Sequence, residues 1–212
     1  MSEPRDNLRQ YYDAAASDYL RRASGGVMGW MRKRELALTL EMIPSTGNGK
    51  ALDAGCGPGY YSQLLRDRGF DVSAVDLSPA MVARVRELGI PAYVMDIEHS
   101  DPPPELPAPF EFILCAGVLE FAGDVRGFLG ALRRLAADGT ELVLVAPHEG
   151  LFGFFYRAHL TARGIPARLY TRTPLLSDLE AAGFDPLEVR IAWPICLAVR
   201  ARASGRSQVG DP

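Results

Sequence analysis

Short apolar runs that alternate with amphipathic stretches constrain this chain more than any other feature. Residues 50–54 (KALDA), 71–76 (DVSAVD), 91–95 (PAYVM), 110–115 (FEFILC) and 141–146 (ELVLVA) are short and mostly apolar. Such runs read as strands buried on both faces of a parallel sheet. Between them, 58–68, 79–88 and 125–137 fit helices. In the last, Asp124 serves as N-cap and Val125, Phe128, Leu129, Leu132 and Leu135 share one face. A further helix fits 174–182, capped by Thr173, with Pro174 in its first turn and Gly183 at its end. Two helices, 5–22 and 28–42, precede the first strand, and strands at 185–192 and 194–201 close the pattern. The order predicts an α/β fold: a doubly wound, mostly parallel seven-stranded sheet that takes its ligand at the strands' C-terminal ends. We expect a helical cap over 1–45, a ligand-binding domain over 46–202 with an insertion at about 148–172, and a tail from 203 to 212. The segment 100–109 has five prolines and reads as a loop.

Bulk properties narrow the function classes. The formal net charge of -3 gives no general attraction to nucleic acid or anionic membrane. Three cysteines without a CxxC suggest neither a disulfide framework nor a zinc site. No apolar run approaches the ~20 residues of a membrane span, and the first ten residues lack the apolar centre of a signal peptide, so a cytoplasmic location is expected. The sequence is silent on oligomeric state.

The stretch ALDAGCGPGYYS (51–62) sets Gly55, Gly57 and Gly59 directly after the first strand. Glycines there permit a tight turn and let a ligand touch bare backbone. A phosphate-binding P-loop is excluded because no Gly-Lys-Ser/Thr follows. The dinucleotide fingerprint fails as well, since Tyr60 and Ser62 stand where its third glycine belongs. Asp53, just before the turn, is a poor neighbour for pyrophosphate and suits a ligand carrying an ammonium group. A ligand-free strand-to-helix turn is the alternative. Asp76 ends the second strand, where a carboxylate accepts ribose hydroxyls, or else caps the next helix. Asp96 ends the third strand and suits an adenine amino group, with the Ile97 amide pairing to a ring nitrogen; a loop-opening Asp is the plainer reading.

At these residues the chain resembles the class I S-adenosylmethionine-dependent methyltransferases. LDAGCGPG, AVDLSPAMV and MDIE are similar to that family's first three motifs. YYDAAASDYL (11–20) is similar to the aromatic-Asp-x-x-Ala-x-x-Tyr signature of the ubiquinone and menaquinone branch, with Leu20 in place of the usual Asp. The resemblance implies S-adenosylmethionine as cofactor. It places Asp53 and the Gly55 backbone at the methionine ammonium, Asp76 on the ribose, Leu77 and Met81 beside the adenosine, and Asp96 and Ile97 on the adenine. Tyr12 and Tyr19 would cover the cofactor, or simply pack helix on domain, and Arg34 would reach its carboxylate. Cys56, Gly57, Gly59, Cys115 and Ala116 complete the implied cofactor set.

Methyl transfer from a sulfonium is an in-line displacement, so positioning and exclusion of water carry much of the rate, and a general base is needed only for an acceptor that holds its proton tightly. After the fourth strand many relatives carry an acidic residue followed by His. Here Glu120 is followed by Phe121, which puts a borrowed base or metal role in doubt. The [DN]PP[YF] motif of nucleobase and amide methylation is absent; Cys115, Ala116 and Gly117 stand in its place. That disfavours such targets. His148, where the fifth strand opens, and Tyr156 are the catalytic candidates, with a structural loop His as the alternative for the former. His159 reads as helix surface and His99 as loop. Phe152, Phe154, Phe155, Tyr156 and Leu160 form an aromatic stretch that either roofs an acceptor site, with Tyr170 at its edge, or packs the core. The expectation is methyl transfer to a small molecule, at an oxygen of a quinol-like, polyketide-like or other secondary metabolite. Methylation at C, N or S, and an adenosylmethionine-binding protein that transfers no methyl, are the other readings.

Overall fold

The computed structural model describes residues 3–16, 26–192 and 195–205. Among the described residues, helices α1 (Glu3–Ala15) and α2 (Gly26–Met42) come first. Strand β1 (Lys50–Ala54) leads into α3 (Tyr60–Asp67), β2 (Asp71–Asp76) into α4 (Pro79–Glu87), and β3 (Ala92–Val94) into a long loop. Strand β4 (Phe110–Ala116) is followed by a 3-10 turn (Leu119–Phe121) and α5 (Val125–Leu135). Then come β5 (Ala136–Pro147), α6 (Leu151–Thr161), α7 (Arg172–Ala181), β6 (Phe184–Ala192) and β7 (Cys196–Ala203). The strands form one sheet in the order β3-β2-β1-β4-β5-β7-β6. β1 to β5 are parallel, and β7 is antiparallel to both β5 and β6.

Alternation along each strand divides the core into two layers. Leu52, Ile113, Leu142 and Leu144 face α5 and α7, where Phe128, Leu129, Leu132, Leu175 and Leu179 are buried. Ala51, Phe112, Leu114 and Val143 face α2, α3 and α4, against Met42, Leu65, Val82 and Val85. Each Leu or Phe so buried contributes roughly 1.5–3 kcal/mol. Strand order reverses between β1 and β4. There the helices after β1 and β4 leave on opposite faces and a crevice opens at the strands' carboxyl ends.

Local capping follows the sequence. Ser78 Oγ accepts from Met81 N at 3.1 Å, and Asp124 Oδ1 accepts from Arg126 N at 3.1 Å. Several boundaries differ from expectation, among them β7, which runs to Ala203 where 201 was expected. α5 stops at Leu135 and β5 begins at once, because Ala136 pairs with Phe110 and Thr140 Oγ1 donates to the Phe110 carbonyl at 2.5 Å. α7 starts at Arg172, ahead of the expected Thr173 cap. The aromatic stretch after β5 is itself a helix, α6. The expected first helix is described only to Ala15; residues 17–25, Tyr19 and Leu20 included, lie outside the described residues.

Helix α1 is tied to the sheet by polar contacts. Asp13 Oδ1 accepts from Ser78 Oγ and, at 3.3 Å, from Ala80 N, so its carboxylate sits at the N-terminus of α4. Arg5 donates to Glu98 and lies 3.6 Å from Asp96. Removing such a helix-end acceptor costs about 1 kcal/mol. Asp13→Ala should therefore speed amide hydrogen exchange across residues 3–15 while β1 and β4 amides stay protected; equal exchange in α1 would show that Asp13 holds nothing.

Candidate active site

The turn after β1 is built from backbone donors. Gly55 N and Cys56 N both donate to the Val75 carbonyl, at 2.8 and 3.0 Å. Gly57 N donates to Asp76 Oδ2 at 2.8 Å. Gly55 has φ +83, and a Cβ there would lie 2.1 Å from Val118 Cγ2. Gly57 has φ +50, and a Cβ there would meet no atom within 4 Å, so its backbone faces open space. Gly55, Cys56 and Gly57 line one wall of a cavity of about 540 Å³ at the strands' carboxyl ends.

Two aspartates support this wall differently. Asp76 lines the cavity; its Oδ1 accepts from Ser78 N and its Oδ2 from Gly57 N, both at 2.8 Å. Each oxygen keeps a further lone pair for a ligand hydroxyl. Burial raises its pKa against those two hydrogen bonds, with the Asp13 charge adding to the rise. Asp53 is buried beneath the turn, where Ser62 Oγ donates to its Oδ2 at 2.5 Å. Burial, aided by Asp76 and opposed by the Ser62 bond, pushes its pKa up to about 7.

Leu77, Asp96 and Ile97 carry the wall onward, and α1 closes it with Arg5, Leu8 and Tyr12. Asp96 Oδ1 accepts from Glu98 N at 3.1 Å. Tyr12 meets Phe121 edge-on, with ring centroids 6.0 Å apart. Leu8 packs on Leu160 and Ile165, so α1 and α6 meet across the top of the cavity. Phe128, Tyr156 and Leu160 line its other half, with His159 and Arg163 at the rim. Arg163 donates to the His159 carbonyl at 2.8 Å.

Glu120 stands in this half with 4% of its surface exposed. Tyr156 Oη donates to its Oε1 at 3.1 Å, while its Oε2 is buried with no hydrogen-bond partner. Burial, with the Glu35 charge adding and its own backbone N–H and the Tyr156 bond opposing, pushes its pKa up to about 8. The sequence discounted Glu120 because Phe121 replaces a His. The signal that would have found it is an acidic residue in an otherwise apolar segment directly after β4.

Several expected residues stand elsewhere. His148 does not line the cavity: its N–H donates to the Ile195 carbonyl at 3.0 Å and it bridges Tyr170, which fixes it to the sheet. Arg34 is exposed with its guanidinium 5.3 Å above the Trp30 ring; on the same helix Met31 and Glu35 face the cavity instead. Met81 and Cys115 are fully buried in the core, whereas Ala116 reaches the wall. Gly59 lies outside the wall, and a Cβ on it would press Leu88 and Val85 at 2.8 and 3.0 Å. Tyr19 lies outside the described residues. Among the described residues, no group of three or more His, Cys, Asp or Glu is placed to hold a metal ion, and no helix is long and apolar enough to cross a membrane.

The raised carboxyls fix the sign of a pH dependence. Folded Asp53 and Glu120 hold protons that the unfolded chain releases near pH 4, so their stabilising contribution is full below that pH and is lost as pH rises through about 7 and about 8. The slope is about 1.4 kcal/mol per pH unit per group. Glu120→Gln and Asp53→Asn should each flatten the fall in chemical-denaturation stability between pH 5 and pH 8; a variant that parallels wild type would refute the assignment.

Comparison with known proteins agrees with this geometry. A family model described as a methyltransferase domain matches residues 18–189. Ubiquinone biosynthesis O-methyltransferase of Pseudomonas aeruginosa is 31% identical over 99 residues, 45% of this chain and 43% of that protein. Malonyl-[acyl-carrier protein] O-methyltransferase of Serratia marcescens is 33% identical over 133 residues, 61% and 51% of the two chains. The chain thus spans about half the length of the curated relatives it matches. Magnesium protoporphyrin IX methyltransferase from Synechocystis PCC 6803, solved with bound SAH, superposes with a TM-score of 0.71 at 18% identity, over 93% of this chain and 98% of that one, and so shares its fold. With its glycine turn, its acidic strand ends and a matching family model over most of its length, the chain belongs to the class I S-adenosylmethionine-dependent methyltransferases.

Proposed function

We propose that this protein transfers a methyl group from S-adenosylmethionine to an oxygen of a small-molecule acceptor. The observation that carries this reading is a cavity with two unlike halves: glycine backbone and acidic strand ends on one side, aromatic side chains with a buried carboxyl on the other. The walls fit the cofactor. Backbone at Gly57 faces open space, and Asp76 keeps acceptor capacity for two ribose hydroxyls. When bound, S-adenosylmethionine supplies a methyl activated by its sulfonium charge.

The chain's own residues do the rest. Asp76 holds the ribose, Asp96 and Ile97 the adenine, and Leu77 packs beside it. Gly55, Cys56 and Gly57 present backbone to the methionine part, and Asp53 lies beneath the turn, where a bound ammonium would favour its ionised form. Tyr12 and Phe121 close over the cavity and exclude water, which strengthens every charge interaction inside. Tyr156, Leu160 and Phe128 make the acceptor half flat and apolar, suited to a lipophilic ring. The names of the two curated relatives, both O-methyltransferases, favour oxygen over carbon, nitrogen or sulfur. The enclosure favours a small acceptor over nucleic acid.

Titration calorimetry with S-adenosylmethionine and S-adenosylhomocysteine tests this. Asp76→Ala should weaken both at least about tenfold, the loss of charged hydrogen bonds. Gly57→Ala should leave thermal stability within about 1–2 kcal/mol yet weaken both ligands, because the added methyl enters ligand space. Wild-type protein that binds neither compound would end the proposal.

A further inference from the structure

The orphaned Oε2 of Glu120 is the feature of the cavity that the cofactor does not use. Leaving a buried carboxyl oxygen without a donor is costly, and native structures seldom do so without a functional reason. We infer that Glu120 accepts the proton of the acceptor's hydroxyl group through Oε2, with Tyr156 as its positioning residue, and that the acceptor is a phenol or enol. This rests on the methyl transfer proposed above and names its acid–base residue.

Location selects Glu120. It follows β4 directly, three residues after Gly117 and four after Ala116, both in the cavity wall. It stands in the aromatic half of the cavity, whose wall it shares with Ala116 and Gly117. Tyr156 Oη donates to Oε1 at 3.1 Å from α6 across the cavity, which fixes the carboxyl plane and leaves Oε2 for a ligand hydroxyl. His148 is fixed to the sheet outside the wall, and His159 stands on the exposed rim with Nδ1 3.1 Å from the Arg163 guanidinium.

The groups around the carboxyl agree with a proton acceptor suited to weak acids. Glu35 on α2 acts on it as a like charge, and Tyr156 on α6 donates to it. Glu120 in turn raises the pKa values of Cys115 on β4 and Tyr170. Tyr170 Oη donates to the Leu119 carbonyl at 2.8 Å and Arg168 N to the Glu120 carbonyl at 2.8 Å, so the turn carrying Glu120 is held by backbone bonds. Burial and Glu35 make the carboxylate a stronger base than a solvated one, closer to the range in which phenolic and enolic hydroxyls ionise. The proton moves from acceptor oxygen to Oε2. The electron pair it leaves forms the oxygen–carbon bond as the sulfur–carbon bond breaks. The proton then passes from Glu120 to water.

Glu120→Gln keeps shape and hydrogen bonding but takes no proton. With catechol as acceptor, its kcat should fall about hundredfold or more, while calorimetric affinity for S-adenosylhomocysteine changes less than about threefold. With 4-nitrocatechol, ionised at the assay pH, the same variant should lose less than about tenfold. The acid limb of wild-type kcat/KM should lie near pH 8 and move to higher pH in Tyr156→Phe, which removes a bond that favours the ionised carboxyl. Infrared difference spectra give a readout without turnover. The stretch of a protonated carboxyl, absent in Glu120→Gln, should shift when catechol is added to the S-adenosylhomocysteine complex. Equal losses with both catechols, or undiminished turnover of catechol, would overturn the inference. If neither catechol is methylated, the infrared band decides, and a band that catechol does not move overturns it too. Failure to bind S-adenosylhomocysteine would instead defeat the methyltransferase reading itself.

Discussion

The bond from Gly57 N–H to the Asp76 carboxylate organises the site. Together with the two bonds from Gly55 and Cys56 to the Val75 carbonyl, it ties the turn after β1 to the end of β2. The glycine backbone therefore takes its shape from the neighbouring strand rather than from any ligand. Asp76 serves the turn and the cavity at once, and that shared duty holds its carboxylate and the exposed glycine backbone in fixed register.

The electrostatics of the cavity depart from those of the outer surface. Outside it, acids meet arginines: Asp178 with Arg126, Glu188 and Glu41 with Arg190, Asp138 with Arg133. Such exposed pairs contribute little each. Asp53, Asp76 and Glu120 instead have their pKa values raised first of all by burial, and a neighbouring negative charge adds to each rise. In the cavity wall Arg5 stands 3.6 Å from Asp96, while Asp76 is held by backbone N–H groups and Glu120 by a tyrosine hydroxyl, a setting that favours a positively charged guest. A sulfonium that also bears an ammonium group meets that condition better than a dinucleotide does.

The parallel strands were legible because each is a short apolar run, and the pattern put Asp53 and Asp76 within one residue of their strand ends and Asp96 just past β3. The glycine turn was legible because positive φ at Gly55 and Gly57 demands that residue type. The start of β5 was not legible, since Ala136 and Ala137 suit a helix and only the distant partner Phe110 makes them a strand. Arg34 illustrates the limit of position along a helix: it is the immediate neighbour of Glu35, and the 100° turn between them sends it to solvent. Glu120 was discounted for its neighbour, and a single sequence could not reveal that Tyr156, thirty-six residues later, returns to it. His148 was read from its place at a strand end, but the bridge to Tyr170 takes it into the sheet.

The two helices over the cavity are fastened unequally. Gly153 of α6 is so near the chain that a Cβ on it would lie 2.2 Å from the His148 carbonyl, and the Glu149 amide beside it donates to Tyr170. That helix is welded to the strand it follows. α1 is held at its ends by Asp13 and Arg5, side chains that exchange protein partners for water at small cost. One cavity is thus roofed by two unlike fastenings, main-chain contact on the α6 side and side-chain contact, with Leu8 packed on Leu160 and Ile165, on the α1 side.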